Sequence, residues 1–211
     1  MNIPVVYEDE WLLVVNKPSG LLVIPQPGGS PRTLTAILND DAKQRGLTYR
    51  LHPCHRLDRE TSGVIIYAKG KSTQKKVMDL FKVRAVKKVY VAFIHGALPC
   101  EQGQVTHPIE GAPALTKFKV LQRKKDFTIV EVYPLTGRTN QIRIHFKSIG
   151  YPIVGETRFA FRRDFKLKAK RLCLHAKFLA LEHPVTKKPL FLEAPLAAEL
   201  ITFINAYEPK A

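Results

Sequence analysis

Carboxylates are scarce in this sequence, which has 18 Asp and Glu among 211 residues against 34 Lys and Arg, a net charge of +16. The three cysteines, Cys54, Cys100 and Cys173, are widely spaced and include no C-x-x-C pair. This spacing predicts neither a disulfide framework nor a zinc ribbon. No apolar run reaches the roughly 20 residues of a membrane-spanning helix, and the acidic N-terminus is unlike a secretory signal. These absences predict a cytoplasmic protein that does not enter membranes.

Cofactor motifs are absent as well. The sequence contains no G-x-G-x-x-G, no P-loop and no H-E-x-x-H, so neither a nucleotide cofactor nor a metal is predicted. Cys54 beside His55 could form a nucleophile and base, but neighbouring side chains usually point apart.

The basic excess is concentrated in the middle of the chain. Residues 61–171 hold 23 Lys and Arg against 7 Asp and Glu, whereas the remainder holds 11 of each. The densest clusters are 82–88, 117–125 and 162–171. Such a concentration of positive charge favours binding to a polyanion such as a nucleic acid, because each neutralised phosphate releases counterions. The alternative is a charged surface that only keeps the protein soluble.

Short apolar runs alternate with single helical patterns. The predicted strands are 11–16, 62–68, 88–95, 117–121, 127–133 and 171–181, and the predicted helices are 33–45, 72–81 with Ser72 as its cap, a helix from Thr139, and 196–206. This order predicts an α+β fold with a mixed, largely antiparallel central sheet and flanking helices, in a single domain spanning 1–211. In the helix from Thr139, Ile142, Phe146 and Ile149 form a core face and Arg143 lies on a polar face.

One segment carries a distinctive arrangement of charges. In His55-Arg-Leu-Asp-Arg-Glu-Thr-Ser-Gly63, the carboxylate of Asp58 lies between two arginines just before a predicted strand. Taken alone, the segment favours a structural Asx turn at Asp58 over a reactive group.

Five segments together resemble the RluA-type pseudouridine synthase family. They are Asn16-Lys-Pro-Ser-Gly20, the HRLD-x-x-TSG segment at 55–63, Lys88-Val-Tyr-Val-Ala92, Gly137-Arg-Thr-Asn-Gln-Ile-Arg-Ile-His145 and Leu172-Cys-Leu-His-Ala176. Three positions depart from the family pattern: Asn140 replaces the usual His, Glu156 a common Asp, and Phe159 a frequent Tyr. The chain is also expected to lack the small N-terminal RNA-binding domain of many members.

The resemblance implies a cofactor-free isomerase with a central basic cleft, acting as a monomer on uridine in ribosomal or transfer RNA. Asp58 is then the nucleophile, by either a covalent or an elimination route. Arg143 is its ion partner rather than a solvated helix residue, and Tyr90 is a stacking residue and possible base rather than a core aromatic.

The resemblance also assigns RNA contacts. Arg56 is expected to fill the space left by an extruded base, against the alternative of a structural salt bridge. The other expected contacts are His55, Lys88, Arg138 and Thr61. A rival interpretation remains, in which the same basic surface serves a non-catalytic RNA-binding or RNA-chaperone protein. A third, metal-assisted RNA hydrolysis, would need a carboxylate cluster that this composition disfavours.

Overall fold

The computed structural model describes residues 3–26, 28, 32–160, 167 and 169–207. Most of the predicted basic cluster at 162–171 lies outside these residues. The elements, in chain order, are β1 (Val5–Glu8), β2 (Leu12–Lys17), α1 (Leu34–Gln44), β3 (Leu51–Pro53), β4 (Ser62–Lys69), α2 (Lys71–Lys82), β5 (Lys87–His95), β6 (Gln102–Val105), β7 (Thr116–Arg123), β8 (Phe127–Pro134), α3 (Gln141–Ser148), β9 (Leu174–Glu182), β10 (Pro189–Glu193) and α4 (Ala198–Ala206). No helix in the described ranges has the length and apolar character needed to cross a bilayer.

The chain divides into two compact units, residues 1–87 with 178–195 and residues 88–177 with 196–211. In the first unit the strand order is β1-β2-β4-β9, with β3 paired to β4 and β10 paired to β9. The side chains of β4 are buried along nearly their whole length, because this central strand is covered on both faces. Asn16 and Lys17 at the end of β2 pair with Val64 and Gly63 of β4.

The second unit contains the strand order β9-β5-β8-β7-β6. Strands β5 to β8 pair antiparallel throughout, and the alternating burial of β7 shows that only one face of this sheet is covered. Helix α3 packs on that face, where Phe146 contacts Phe118 with ring centroids 5.5 Å apart. Phe127, Phe93 and Phe203 of α4 form a second aromatic cluster.

The α+β class with a mixed, largely antiparallel sheet is confirmed, and several boundaries differ from the sequence predictions. Helix α2 begins at Lys71 with Gly70 as its cap, so Ser72 lies within the first turn. Strand β9 begins at Leu174 and not at Arg171. Strands β1, β3, β6 and β10 were not predicted, because segments of three to five residues carry too little periodicity.

Candidate active site

The turn that carries Asp58 joins β3 to β4. Its backbone is closed by the Thr61 N–H, which donates to the Asp58 carbonyl at 3.1 Å. Leu57 is 6% exposed and anchors the turn in the core, whereas Arg56 lies at the surface. Asp58 itself is partly buried. The turn therefore holds the backbone of Asp58 firmly and leaves Arg56 available to an incoming ligand.

A buried lysine supports the same turn. Lys17 is fully buried, and its Nζ donates to the carbonyl oxygens of Pro18 at 2.9 Å, Leu21 at 2.6 Å and Arg59 at 3.1 Å. An ammonium group removed from water is costly unless its donors are satisfied, and three carbonyl oxygens supply the partners here. Lys17 thereby ties the end of β2 to the residue that follows Asp58.

Three further hydrogen bonds join the two turns. The Gly20 N–H donates to the Arg59 carbonyl at 2.8 Å, and the Ser19 hydroxyl donates to the Glu60 carbonyl at 2.6 Å. In the opposite direction, Arg59 Nε donates to the Gly20 carbonyl at 3.1 Å. We call the segments 17–21 and 58–61, joined in this way, the carbonyl clamp. Sequence reasoning missed the role of Lys17, although a lysine ending the apolar run of β2 was a usable signal.

His55 and Thr61 were predicted to contact RNA, but their surroundings favour a supporting role. His55 Nε2 accepts the Ile66 N–H at 3.1 Å, and its ring lies against Phe81 with centroids 4.7 Å apart. Thr61 is 2% exposed. Both residues therefore help to fix the turn, and RNA contact by either of them stays a prediction.

Cys54 lacks the properties of a nucleophile. The residue is 4% exposed, and burial raises the pKa of its thiol to about 12. The reactive form of cysteine is the thiolate, which this environment disfavours. The acceptor role of His55 Nε2 toward a backbone N–H further disfavours a Cys54–His55 pair.

Arg143 lies in the second unit and is 4% exposed. Its Nε and Nη2 donate to the two carboxylate oxygens of Glu156, each at 2.7 Å. Nη1 donates to Asn140 Oδ1 at 3.1 Å, and the guanidinium carbon lies 5.2 Å from the centre of the Phe159 ring. The three positions that depart from the RluA-type pattern thus all contact Arg143. The sequence-predicted polar face of α3 is in fact buried at this residue.

Glu156 is held as firmly as Arg143. Its Oε1 also accepts the backbone N–H groups of Thr157 at 2.9 Å, Arg158 at 2.8 Å and Phe159 at 3.3 Å. Burial alone would raise the pKa of the Glu156 carboxyl, but Arg143 and these N–H groups hold it below its usual value. The carboxylate is therefore ionised at neutral pH and its direction is fixed.

Gly155 explains why this acidic residue lies where it does. The backbone there has φ +81°, and a Cβ atom would come within 1.9 Å of the Arg171 carbonyl oxygen. The residue before Gly155, Val154, is bonded to two segments: its carbonyl accepts the Cys173 N–H and its N–H donates to the Phe93 carbonyl. Only glycine permits this close approach, which anchors the segment before Glu156 to β5 and to the chain that leads into β9.

Tyr90 lies on the sheet face that α3 covers. It pairs with Val132, which pairs in turn with Phe118, the residue that contacts α3. Residues directly opposite in antiparallel strands share a face. Tyr90 and Arg143 therefore belong to the same side of the second unit, although the sequence separates them by more than 50 residues.

The loop before α3 is fixed by a buried amide. Gln141 Oε1 accepts from the Thr136 hydroxyl at 2.7 Å and the Arg138 N–H at 3.0 Å, while Nε2 donates to the Leu115 carbonyl and the Thr116 hydroxyl. The amide thus uses its oxygen for the loop and its nitrogen for the start of β7, and so joins the two. Sequence reasoning did not single out Gln141, because a glutamine has no distinctive pattern.

Lys88 and Arg138, both predicted to bind RNA, lie beside this loop. Lys88 Nζ donates to the Thr136 carbonyl at 3.0 Å. Arg138 is exposed and donates through Nε to the Pro113 carbonyl at 3.2 Å. One guanidinium edge of Arg138 is therefore anchored while the residue remains at the surface, an arrangement suited to a phosphate.

His145 is a buried hydrogen-bonding residue. Its Nε2 donates to the His107 carbonyl at 2.8 Å and Nδ1 lies 2.9 Å from the Thr116 hydroxyl. Burial lowers the pKa of its imidazole. Within the described ranges no group of three or more His, Cys, Asp or Glu side chains is arranged to hold a metal ion.

Part of the basic cluster at 117–125 occupies the other face of the sheet. Lys117 and Lys119 flank Phe118 in β7 and are exposed. Successive side chains of a strand alternate between faces, so these two lysines lie opposite Tyr90 and α3. Lys119 also pairs with Glu131 across the sheet.

Comparison with known proteins decides the family. The profile described as RNA pseudouridylate synthase matches residues 11–148, which include Asp58, Tyr90 and Arg143. The chain belongs to the RNA pseudouridine synthase family. It is an isomerase that acts on RNA, and its relatives are of the RluA type.

Similar proteins cover nearly the whole of this synthase. The dual-specificity RNA pseudouridine synthase RluA of Pasteurella multocida is 36% identical, over 92% of this chain and 93% of the relative. The ribosomal large subunit pseudouridine synthase C of Buchnera aphidicola is 34% identical, over 95% and 69%. The solved structure of human RNA pseudouridylate synthase domain containing 4 has a TM-score of 0.81 at 27% identity, over 96% of this synthase and 92% of that chain.

Proposed function

We propose that this synthase isomerises specific uridines of ribosomal or transfer RNA, with Asp58 as the group that attacks the sugar. The carbonyl clamp is the observation that carries the proposal, because it fixes the backbone that presents Asp58 through bonds at Arg59 and Glu60, the two residues that follow it. A reactive group must be held in a narrow range of positions to lower an activation barrier. The relatives named for ribosomal and dual-specificity activity support the two RNA classes.

The reaction needs an ionised carboxylate beside the ribose. The C1′–N1 bond breaks, the uracil turns, a C1′–C5 bond forms, and the C5 proton is lost as N1 gains one, so that the composition is unchanged. Positive charge develops on the sugar during the first step, and a carboxylate stabilises or captures it. Asp58 takes this part in the proposal by the covalent route or by elimination.

Arg143 is proposed as the ion partner that keeps Asp58 ionised and directed. An arginine offers two edges for planar hydrogen bonding. Glu156 occupies the Nε–Nη2 edge, so the edge formed by Nη1 and Nη2 is the one suited to a second carboxylate. Tyr90 is proposed to stack on the uracil and, in the elimination route, to accept the sugar proton through its hydroxyl.

Arg56 and Arg138 are proposed as the principal RNA contacts, because both are exposed and carry a charge that cannot be lost. Arg56 would occupy the space of an extruded base, and Arg138 a phosphate position. We further propose that the protein acts as a monomer in the cytoplasm, where transfer and ribosomal RNA are substrates. Light scattering of the protein with and without RNA measures its mass in solution and so tests whether it is a monomer.

Mapping of pseudouridine in total RNA, from cells with and without the protein, tests the proposed function. Wild-type protein should restore specific sites, and Asp58→Asn, which keeps shape but loses charge, should restore none while still binding RNA. Restoration by Asp58→Asn would remove Asp58 from the mechanism. Absence of any site that depends on wild-type protein would favour the RNA-binding or RNA-chaperone alternative.

The role of Arg56 has a separate test. Arg56→Ala should slow the reaction on a target uridine within a stem far more than on the same uridine left unpaired, because unpairing costs a few kcal/mol. The melting temperature should change little, since the side chain is exposed. Equal loss on both RNAs, with a lowered melting temperature, would instead assign Arg56 to the scaffold.

A further inference from the structure

The surroundings of Arg143 in the second unit combine features that a simple structural salt bridge does not need. The pair with Glu156 is bidentate and almost completely buried, with side-chain exposures of 4% and 1%. Asn140 binds the third nitrogen, and the Phe159 ring lies over the guanidinium. Every nitrogen of Arg143 is thus directed by a neighbour, and the plane of the group is set.

We propose that Glu156 is a positioning residue for catalysis, which together with Asn140 and Phe159 fixes the orientation of the Arg143 guanidinium. The inference rests on the proposed function, since it assigns Arg143 a part in the chemistry. Glu156 does not touch the substrate in this proposal. It acts only through Arg143, by occupying one edge of the guanidinium and so determining where the other edge points.

The strength of the pair follows from how Glu156 is anchored. Its Oε1 accepts three backbone N–H groups besides Arg143 Nη2, so the carboxylate cannot turn without breaking several bonds. Gly155, with its close approach to the Arg171 carbonyl, fixes the preceding backbone. The buried Glu156 carboxylate therefore moves little, and it restricts the motion of the Arg143 guanidinium that it binds.

Asn140 completes the arrangement through its backbone as well as its side chain. It precedes α3 in the left-handed conformation, with φ +54°, which asparagine tolerates better than most residues. This conformation brings Oδ1 to Nη1 of Arg143, one turn later in the chain. Helix α3 thus carries Arg143 and starts at the residue that restrains it.

The decisive experiment measures the rate of tritium release from ribosomal and transfer RNA transcripts tritiated at C5 of uridine, since that hydrogen is lost in the isomerisation. Glu156→Gln should lower kcat by about tenfold or more while KM and RNA affinity stay within about twofold, because only orientation is lost. Glu156→Asp keeps the charge and should recover part of kcat. In an Arg143→Lys background, Glu156→Gln should add little further loss.

Control variants separate positioning from general support of the fold. Glu101→Gln removes a carboxylate from another arginine pair of the same unit, that with Arg123, and should leave kcat unchanged. Val130→Ala, in the buried core of β8, should lower the melting temperature without lowering kcat. If Val130→Ala and Glu156→Gln reduced kcat equally at equal loss of melting temperature, Glu156 would be merely structural and the proposal overturned.

A second variant keeps the proposal testable if Glu156→Gln fails to fold. Asn140→Gly removes the Oδ1 contact and suits the positive φ, so it should fold and still lower kcat severalfold at constant KM. The positioning role would be refuted if kcat were unchanged in Asn140→Gly and in every soluble Glu156 variant while Arg143→Lys was inactive. That result would leave the proposed function standing. No tritium release by the wild-type protein from any transcript, and no dependent site in total RNA, would refute the function itself.

Discussion

The turn that carries Asp58 and the surroundings of Arg143 are held by different kinds of contact. The carbonyl clamp consists of hydrogen bonds to backbone oxygens, with Lys17 at its centre. Arg143 is held chiefly by a side chain, the carboxylate of Glu156. One region therefore fixes a backbone, and the other fixes the direction of a single charged group.

This difference has consequences for substitution. Backbone oxygens persist when side chains change, so the clamp tolerates variation except at its donors, Lys17 above all. The group around Arg143 depends on the identity of each side chain, and a change at Glu156 or Asn140 acts directly on the guanidinium. We therefore expect substitutions at the donors of the carbonyl clamp to act mainly on stability and those at the side chains that contact Arg143 mainly on rate.

The largest effect is expected for Arg143→Lys. Lysine keeps the charge but cannot reproduce two planar edges, so the single-turnover rate should fall by roughly 1000-fold, as when a preorganised donor is removed from an active site. Affinity for RNA should change little. Arg123→Lys, in the exposed pair with Glu101, is the matched control, and a comparable fall in that variant would contradict a special role for Arg143.

A smaller fall in rate is expected for Tyr90→Phe, which keeps the ring and removes the hydroxyl. If the hydroxyl moves the sugar proton, the single-turnover rate should fall by about 100-fold with unchanged RNA affinity. Tyr133→Phe is the control, because Tyr133 lies in β8 on the opposite sheet face, where it donates to Glu131. An unaltered rate in Tyr90→Phe would leave the ring as the only functional part and disfavour the elimination route.

Lys17→Met tests the carbonyl clamp, the first of the two regions compared. It removes the Lys17 donor from the carbonyl oxygens of Pro18 and Leu21, while the Arg59 carbonyl keeps the Gly20 N–H. This loss should cost about 3 kcal/mol in the free energy of unfolding and lower the melting temperature by roughly 10 °C. The single-turnover rate should fall by only about tenfold below this melting point. Lys69→Met, a lysine at the end of β4 that donates to the Asp9 carbonyl, should destabilise without affecting rate. A rate loss equal to that of Arg143→Lys would erase the distinction between the two regions.

The sequence predicts the larger elements and the Asp58 segment, because these rest on local patterns. Helix α1 is predicted within one residue, with Thr33 as the cap that accepts from Ala36, and the strands predicted at 117–121 and 127–133 are present as β7 and β8. A strand of three residues such as β3 shows no such pattern, because it is formed by pairing with β4.

The contacts of Arg143 were beyond sequence reasoning for a different reason. Glu156 follows Arg143 by 13 residues, and its approach depends on the anchoring of Gly155 against a segment still further along the chain. The periodicity of apolar residues reports only local structure and gives no information about such long-range contacts. The signal was present only as departures from a family pattern, at Asn140, Glu156 and Phe159, and the structure gives these departures a common cause in the residue they all contact.

The smallest effect is expected from the basic residues on the uncovered sheet face. Because Lys117 and Lys119 lie opposite Tyr90, and Lys119 pairs with Glu131, the double change to Gln should weaken RNA binding by less than about threefold and alter the salt slope by less than about one counterion. Arg138→Gln, on the side of α3, should weaken binding more and reduce the slope by about one. Titration of RNA binding at several salt concentrations measures both. A larger loss of RNA affinity in the lysine variant than in Arg138→Gln would contradict this ranking. It would mean that RNA contacts the sheet face that carries Lys117 and Lys119 more strongly than the side that carries Arg138.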